Sequence, residues 1–381
     1  MTRPRVILVS NDVVPGMTMP VAAPGLRVFG LAQGLAAHGV DVDVAVVQGP
    51  VDGQWRGSVP APARAGTEIV AAGDLAAYLE ARAPAVAVVT NSNQIDKLRR
   101  IEGITFVLDF FAPKMLERAY EFGQDYPADE LRALRARKLR AIDLADGFIV
   151  NGRKKVPYFV AWVLQTDRDI RRIRFPVVEM CLPSSFREER PPGPLRLALA
   201  GYLQGWSRPG PWLDPLLERL VPGKVVLDVV MPVHWGQRGG EELAGPLATM
   251  LGDHPAVTVH GAMTFGEFRQ FLDTVDVAVD VFGHSLEREF AMVTRSVVAL
   301  ASGVPVIHPY FTEVTPMIEE FDAGWVVVPG EPTTLAAALD EIISSPETVQ
   351  TKAEGARALW SARLEPRKAV RPLVDLIDKL G

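Results

Sequence analysis

The sequence feature that most constrains the fold is a regular alternation of short apolar, β-branched runs with amphipathic helical stretches. In the first half the apolar runs are "RVILVS", "VDVDVAVV", "AVAVVTN", "ITFVLDF" and "GFIVN". A second series reads "LRLALAG", "KVVLDVVMP", "AVTVHGA", "VAVDVF", "VPVIHP" and "GWVVVPG". Strands that are apolar throughout and are separated by helices are typical of parallel sheets with helices on both faces. The pattern predicts two doubly wound, Rossmann-like α/β domains.

The domain boundaries follow from chain length and from one break in the pattern. A chain of 381 residues with 48% hydrophobic content fills two cores, because single cores stop growing at roughly 250–300 residues. The stretch "CLPSSFREERPPGP" interrupts the alternation with proline and charge, which is typical of a linker. We predict an N-terminal domain at 1–184, a linker at 185–194 and a C-terminal domain at 195–360. The amphipathic helix at 361–381 is predicted to pack back on the N-terminal domain.

Charge and cysteine content exclude several partners and compartments. The formal net charge of −6 provides no global cationic field for nucleic acid. Basic residues cluster in "LRALRARKLRA" and "RDIRRIRF", which indicates either a solvated helix face or a strip for weak peripheral contact with an anionic membrane. The single cysteine, Cys181, rules out an internal disulfide and favours a reducing compartment.

Targeting signals are also lacking, which bears on location. The first residues turn polar too early for a signal peptide, and the sequence has no apolar run of about 18 residues. We therefore predict a soluble, cytoplasmic protein. Frequent Ala, Arg, Gly and Pro are typical of a GC-rich bacterial genome.

Common cofactor and metal motifs do not occur at the strand ends. Neither half carries G-x-G-x-x-G after its first strand, and G-x-x-x-x-G-K-[ST] does not occur, which disfavours a dehydrogenase and a P-loop NTPase. The six histidines show no metal-ligand spacing with the lone cysteine. We therefore predict no metal site.

Two helix starts, one in each half, are predicted to bind anions. In the first half a Gly- and Pro-rich loop leads to Pro24-Gly25-Leu26-Arg27, where free N–H groups and the helix dipole favour a phosphate. Gly25 would let the backbone approach the phosphate, and Arg27 would add a charged donor. The alternative is a mobile loop with a glycine at the helix start.

The second predicted anion site lies in "EREFAMVTRSVVALASGVPVI", residues 287–307. An acidic segment precedes a helix that stops at Ser302-Gly303 before a buried strand. Its unpaired N–H groups, from about Ala291 to Thr294, would face the ligand. Two such helix starts, facing each other from the two domains, predict a cleft for a diphosphate-bearing ligand.

These two segments together resemble a retaining, family 4 type glycosyltransferase of the GT-B fold. Within this type they are similar to a subgroup with the motif E-x-x-F-R-T-R, an Asp three residues later, and a helix ending in A-G-L-P. The aligned positions are Glu289 for the glutamate, Met292 for the Phe, Val293 for the first Arg, Thr294 and Arg295 for T-R, and Gly303-Val304-Pro305 for G-L-P. Weaker similarities, such as "IDLADGFIVNGRKK" and "LAGYLQGWSRPGPWLDPLL", extend along most of the chain.

The resemblance implies a nucleoside diphosphate sugar as donor substrate, with no cofactor and no metal. Glu289 would contact the transferred sugar, and the backbone from Ala291 to Arg295 would hold the diphosphate. Arg27 and Arg208 would be the cations on either side of the diphosphate. The family often carries an Arg and a Lys after the first strand of the second domain, and in this sequence only Arg208 lies near that position. Val298 occupies the position of the ribose carboxylate. Ribose recognition would then pass to backbone groups near Gly205 in "GYLQG", or to His234 in "MPVHWG".

The predicted reaction is sugar transfer to an acceptor hydroxyl with retention. The leaving phosphate itself can take the acceptor proton, so no dedicated side-chain base is required. Asp12 and Asp109, near strand ends, are read either as acceptor contacts or as turn caps. The alternatives are a catalytically idle GT-B subunit that binds or activates a partner, suggested by Val293 and Val298, and a nucleotide-sugar epimerase or a phosphorylase.

Overall fold

The computed structural model describes residues 3–48, 66–91, 95, 98–121, 126–188, 192–202, 210, 212–232, 247 and 249–380. The chain divides into two compact units, Met1–Pro183 with Glu365–Gly381, and Ser184–Leu364. Each unit contains a six-stranded sheet in which all the observed strand pairings are parallel. The predicted fold class, two doubly wound α/β domains, is confirmed.

The sheet of the first unit has the order β3-β2-β1-β4-β5-β6. Its strands are β1 Arg5–Ser10, β2 Val42–Gln48, β3 Thr67–Ala71, β4 Ala85–Thr90, β5 Ile104–Phe110 and β6 Gly147–Val150. Successive residues of a strand point to opposite faces, so Ile7 joins one core cluster and Leu8 the other. Both faces are buried, which explains why β1 and β4 read as continuous apolar runs.

The helices of the first unit include a segment from the far end of the chain. They are Ala23–Ala37, Leu75–Glu80, Lys114–Glu121, Ala128–Leu144, Lys155–Val163, Pro366–Ala369 and Arg371–Leu380. Helix Ala23–Ala37 packs closely against this C-terminal segment. The close approach is evident at Gly34, where a Cβ would lie 2.4 Å from the Pro366 carbonyl oxygen. An ion pair between Arg3 and Asp378, at 2.8 Å, also fastens the segment to the first unit.

The second unit repeats the arrangement with the order β12-β11-β10-β7-β8-β9. Its strands are β7 Leu195–Ala200, β8 Val225–Val230, β9 Val257–His260, β10 Val277–Val279, β11 Val306–Pro309 and β12 Gly324–Val327. Its helices include Leu213–Leu217, Phe265–Leu272, Leu286–Glu289, Thr294–Ala301, Thr315–Glu320, Pro332–Ser344 and Pro346–Leu359, the last continuing as a π-helical turn at Trp360–Leu364.

The unit boundaries differ in detail from those predicted. The chain returns to the first unit at Glu365, four residues after the predicted position at 361. The described part of the predicted linker packs on the second unit, since the Ser185 N–H donates to the Ala301 carbonyl at 2.9 Å. Arg187 likewise donates to the Val275 carbonyl at 2.9 Å and pairs with Asp276 at 3.2 Å.

Each sheet has a point at which the strand order reverses. This switch point lies between β1 and β4 in the first unit and between β7 and β10 in the second. Open parallel sheets bind ligands outside the carboxyl ends of the strands at this point. The residues that follow these four strands are therefore the first candidates for a functional site.

Candidate functional site

At the switch point of the second unit, Arg295 lies over the ends of β7 and β10. Its Nη2 pairs with Asp280 at 2.9 Å, and its Nη1 lies 3.5 Å from the Ala200 carbonyl oxygen. Gly201 has a φ of +118°, and a Cβ there would lie 2.0 Å from Cδ of Arg295, so glycine leaves room for the arginine stem. The guanidinium lies 5.8 Å from the Phe282 ring centroid, and 25% of the Arg295 side chain is exposed.

A chain of buried hydrogen bonds fixes Asp280 from the opposite side. Ser296 Oγ donates to Asp280 Oδ2 at 2.7 Å, and Ser296 Oγ lies 2.9 Å from His308 Nδ1. His308 Nε2 in turn lies 2.7 Å from Thr312 Oγ1. Because the Ser296 hydrogen is used on Asp280, Nδ1–H of His308 must donate to Ser296, and Thr312 donates to Nε2. Thr312, His308 and Ser296 therefore each donate a hydrogen bond in the direction of the Asp280 carboxylate.

This arrangement requires a neutral His308. Burial lowers the pKa of His308 to about 4, while the charge of Asp280 acts in the opposite direction. With a neutral imidazole, the negative charge of Asp280 is balanced by its ion-pair partner Arg295. The side chain of Arg295 is thus held in one orientation at the rim of the sheet.

The helix that carries Arg295 begins at Thr294, with Val293 as an extended N-cap residue at φ −61° and ψ 102°. The structure shows no side-chain cap hydrogen bond at Val293. The first three N–H groups of a helix have no intrahelical acceptor, and here they belong to Thr294, Arg295 and Ser296. An anion at this helix start would meet these N–H groups and the Arg295 guanidinium.

The helix was predicted to offer unpaired N–H groups from about Ala291, whereas it begins at Thr294. The Ala291 N–H donates to the Arg288 carbonyl at 3.1 Å, because the preceding short helix Leu286–Glu289 ends there with its own C-cap bonds. The prediction that the Ala291 N–H holds the diphosphate is therefore not supported by this conformation. Met292 and Val293 are buried, and their backbone role stays a prediction.

Glu289 and Glu287 occupy different environments. Glu289 Oε1 lies 2.6 Å from His284 Nε2, and 38% of the Glu289 side chain is exposed. Glu287 is instead buried and bonded to Arg288, whose guanidinium lies 5.4 Å from the Phe282 ring centroid. Glu289 is thus the accessible carboxylate of this segment, and its contact with a sugar stays a prediction.

Val298 is buried within helix Thr294–Ala301. Its position explains why a valine is tolerated where the resemblance implies a carboxylate. A charged side chain here would lose its hydration unless it gained a partner.

The start of helix Ala23–Ala37 in the first unit is not arranged as predicted. Asp12 accepts from the Val13 N–H at 2.8 Å and from the Ala22 N–H at 3.1 Å, so the chain's own carboxylate lies at the positive end of the helix. A Cβ on Gly25 would lie 1.7 Å from the Val13 carbonyl oxygen. Gly25 therefore permits close packing of the loop, and the predicted approach of a phosphate at Gly25 has no support here.

Arg27 is likewise committed to the fold. Its guanidinium forms a fully buried, two-point ion pair with Asp109, at 2.9 and 3.2 Å. It also donates to the carbonyls of Val178 and Glu179 at 2.7 and 2.9 Å. In this conformation Arg27 is not accessible to a ligand, so the structure gives it a structural role in place of the predicted diphosphate contact. Asp109 is thus the buried ion-pair partner of Arg27, and Asp12 accepts hydrogen bonds from the backbone at the two ends of the loop.

Three predicted site residues, Arg208, Gly205 and His234, lie outside the described residues. In the described part of the chain, no group of three or more His, Cys, Asp or Glu side chains is placed to hold a metal ion. No helix among the described residues has the length and apolar character needed to cross a membrane.

The series of hydrogen bonds from Asp280 through Ser296 and His308 to Thr312 was not predicted from the sequence. Its signals were polar residues directly after or within apolar strands, the Asp in "VAVDVF" and the His in "VPVIHP". A polar residue in a buried strand requires a hydrogen-bond partner, which could have marked both. The identity of that partner, Ser296 on the intervening helix, depends on the tertiary fold.

Comparison with known proteins identifies the fold. No protein-family model and no curated protein sequence matches this chain. Among solved structures, sucrose-phosphate synthase from Thermosynechococcus elongatus is similar with a TM-score of 0.68 at 14% identity, covering 99% of both chains. Anabaena HepE in complex with UDP and glucose gives 0.67 at 13% identity, covering 99% of this chain and 100% of its own.

A third solved structure is an α-glucosyltransferase in complex with UDP-glucose and DNA containing an abasic site. It has a TM-score of 0.68 at 8% identity and covers 99% of this chain and 100% of its own. At such low identities the similarity establishes the architecture alone, which is that of GT-B glycosyltransferases.

Proposed function

We propose that this protein is a glycosyltransferase that moves a sugar from a nucleoside diphosphate donor to an acceptor hydroxyl with retention of configuration. The observation that carries the proposal is the placement of Arg295 beside three free helix N–H groups at the switch point of the second unit. A diphosphate matches this combination of a fixed cation and a helix dipole. The similarity to solved glycosyltransferases of the same fold supports it, since their structures contain UDP or UDP-glucose.

In the proposed reaction the bond between the sugar carbon and the diphosphate oxygen breaks, and a bond from that carbon to the acceptor oxygen forms. Charge develops on the departing diphosphate, where Arg295 and the N–H groups of Thr294 to Ser296 stabilise it. The departing phosphate takes the acceptor proton. Glu289, the exposed carboxylate beside this helix, orients the sugar.

The first test is nucleotide binding. Thermal shift with UDP, GDP, ADP and the matching monophosphates should show stabilisation by at least one diphosphate, amounting to roughly 2.7 kcal/mol at 100 times its dissociation constant. Calorimetric titration of Arg295→Met should show weaker binding of that diphosphate with a smaller effect on the monophosphate. Failure of every nucleotide to bind would overturn the proposal.

One alternative function has its own support. Val293 and Val298 are buried apolar residues where the resembled motif has charged ones, as expected if the chain were a catalytically idle subunit that binds or activates a partner. Nucleotide binding without donor turnover in the presence of an acceptor panel would favour this alternative. Release of epimerised sugar without an acceptor would instead indicate an epimerase.

A cytoplasmic location and weak membrane contact belong to the same proposal. Helix Ala128–Leu144 presents exposed arginines at Arg135 and Arg140, next to Arg132, which pairs with Asp129. Surface charges of this kind attract anionic lipid within a Debye length. Sedimentation with vesicles of anionic and of neutral lipid tests the contact, which should weaken as salt is raised.

A further inference from the structure

His284 and Glu289 form a hydrogen bond across the start of the short helix Leu286–Glu289. His284 Nε2 lies 2.6 Å from Glu289 Oε1. Ser285 is the N-cap residue, and its side chain accepts from the Arg288 N–H at 3.2 Å. His284 therefore lies just before the cap and Glu289 at the fourth helical position, two positions whose side chains often pack together at helix starts. The contact thus follows from the local path of the chain.

Both members of the pair are also held by other groups. The Glu289 N–H donates to the Ser285 carbonyl at 3.1 Å, which fixes the backbone that carries the carboxylate. The His284 ring meets the buried Phe311 ring edge-on, with the centroids 4.9 Å apart and an interplanar angle of 88°. A glutamate side chain otherwise samples many rotamers. The hydrogen bond from a supported imidazole restricts Glu289 to few of them.

The polar ends of the pair remain accessible. The side chain of His284 is 52% exposed and that of Glu289 38%. An ionised carboxylate only accepts, so Nε2 of the neutral imidazole carries the hydrogen and donates it to Oε1. Among the described residues, Glu289 makes no other side-chain hydrogen bond. Its second oxygen, Oε2, is therefore open to a ligand group that donates a hydrogen.

The pair is linked to Arg295 through two aromatic rings of the same unit. The Phe311 and Phe282 ring centroids lie 5.9 Å apart, and the Arg295 guanidinium lies 5.8 Å from the Phe282 centroid. In a nucleoside diphosphate sugar, the sugar is bonded directly to the diphosphate. A carboxylate held on the same aromatic cluster as the diphosphate-binding arginine is therefore placed to meet the hydroxyls of that sugar.

We propose that His284 is a positioning residue that holds Glu289 in one orientation, so that Glu289 recognises the configuration of one hydroxyl of the donor sugar. This inference rests on the proposed function, because it assumes a nucleoside diphosphate sugar at Arg295. The hydroxyl of the matching epimer donates to Glu289 Oε2, whereas in the other epimer it points away and Oε2 is left without that donor. A site built around one hydroxyl rejects the analogue that cannot supply it.

A purely structural role of the same contact makes a different prediction. If the pair only guides the chain into the short helix, replacing His284 should change stability and leave sugar discrimination as it is. His284→Phe keeps an aromatic ring against Phe311 and removes the N–H donor. His284→Gln keeps an N–H donor at about the distance of Nε2 from the backbone. The two variants therefore separate ring packing from hydrogen bonding.

The chain offers a matched control in the same unit. His260 Nε2 lies 2.6 Å from Asp228 Oδ1, and the His260 ring lies 5.3 Å from the Phe271 ring. His260 ends β9, the edge strand two places from β7 and three from β10. Asp228 keeps Arg196 at 2.8 Å when the imidazole is removed. His260→Phe thus makes the same change in a similar pair away from the switch point.

The experiment is calorimetric titration with epimeric donors. The probes are the nucleoside diphosphate that binds in the thermal shift test, alone and as its glucose, galactose and mannose esters. We expect the unmodified protein to distinguish two of these esters by at least about 10-fold, and His284→Phe to distinguish them by less than about 3-fold. His284→Gln and His260→Phe should retain the discrimination. All variants should bind the unesterified diphosphate equally.

Several results would overturn the inference while leaving the proposed function intact. They are equal discrimination by His284→Phe and the unmodified protein, an equal loss in His284→Gln and His284→Phe, and no discrimination by the unmodified protein. Weaker binding of the unesterified diphosphate by His284→Phe would also overturn it, since the contact would then support the whole site. Failure of every nucleotide to bind is a different result, because it removes the proposed function and the inference with it.

Discussion

At the scale of single residues, Arg295 is the side chain whose role most depends on its neighbours. Its pair with Asp280 keeps the guanidinium at the sheet rim, so Arg295→Met should lower kcat/KM by about 10²–10³, as for loss of a transition-state donor. The same change leaves the Asp280 carboxylate buried without its cation and should lower stability. Turnover and urea unfolding of the variant measure the two effects.

The double variant Arg295→Met with Asp280→Asn separates these causes. Removing the buried charge should recover most of the stability while activity stays low, since the amide cannot replace the guanidinium. Recovery of activity together with stability would show that Arg295 acts only by neutralising Asp280.

His308 gives a prediction about pH. Burial lowers the pKa of His308 to about 4 from its usual 6.5, so between these values the unfolded chain binds a proton that the folded chain does not. The free energy of unfolding should therefore fall as pH drops from 6.5 toward 4, by about 1.5 kcal/mol between pH 6.5 and 5 from this residue. Urea unfolding of the unmodified protein and of His308→Asn measures the difference, because other groups titrate equally in both. A difference that stays constant across this window would contradict the prediction.

Residue roles were harder to predict than residue positions. The sequence placed Arg27 in the first turns of a helix, but its partner Asp109 lies 82 residues away, and no local pattern shows that distance closing. Glu287 and Glu289 look alike in the sequence, whereas the short helix Leu286–Glu289 directs one inward and leaves the other exposed. Local chemistry set the candidates, and the tertiary fold decided which of them are accessible.

At the scale of elements, alanine substitution of two helical glycines should change the stability of the protein in opposite directions. Gly34 lies in helix Ala23–Ala37, and a Cβ there would meet Pro366 and Val370 at 2.4–2.6 Å. Gly266 lies in helix Phe265–Leu272 with no atom within 4 Å of such a Cβ. Gly34→Ala should destabilise the protein by about 1–3 kcal/mol through overpacking, while Gly266→Ala should stabilise it by about 0.5–1 kcal/mol. Thermal unfolding of both variants checks this, and stabilisation by Gly34→Ala would show that the C-terminal segment packs more loosely than described.

Most elements were predictable because burial on both faces gives a strand a continuous apolar run. The exception is β3, "TEIVA", which has an exposed Glu68 and lies at the sheet edge, so its pattern is short and mixed. The helix that begins at Thr294 was predicted about three residues early, since "FAMVT" is apolar enough to be helical. The extended Val293 that delays it is set by the short helix before it.

At the scale of the whole molecule, the chain ends in the unit where it began. The side chains of Leu373, Val374 and Ile377 are fully buried in the core of the first unit, although they follow the entire second unit in sequence. The amphipathic stripe at 361–381 suggested this return, and the structure moves its start to Glu365 because the π-helical turn Trp360–Leu364 still belongs to the second unit.

Two buried isoleucines, one in the core of each unit, test whether the two units unfold independently of each other. Ile377 lies in the first core and Ile342 in the core of the second unit, each at most 1% exposed. Either Ile→Ala change should cost about 2–5 kcal/mol, the transfer and cavity cost of a buried side chain. If each unit unfolds cooperatively on its own, Ile377→Ala should speed amide hydrogen exchange in β1, β2 and β4, and Ile342→Ala should do so in β7, β10 and β11. Faster exchange in the second unit after Ile377→Ala, measured by mass spectrometry of peptides from each sheet, would show that the two units unfold as one. It would then follow that ligand binding at either switch point protects the whole chain, since a ligand stabilises every part that unfolds together with its site.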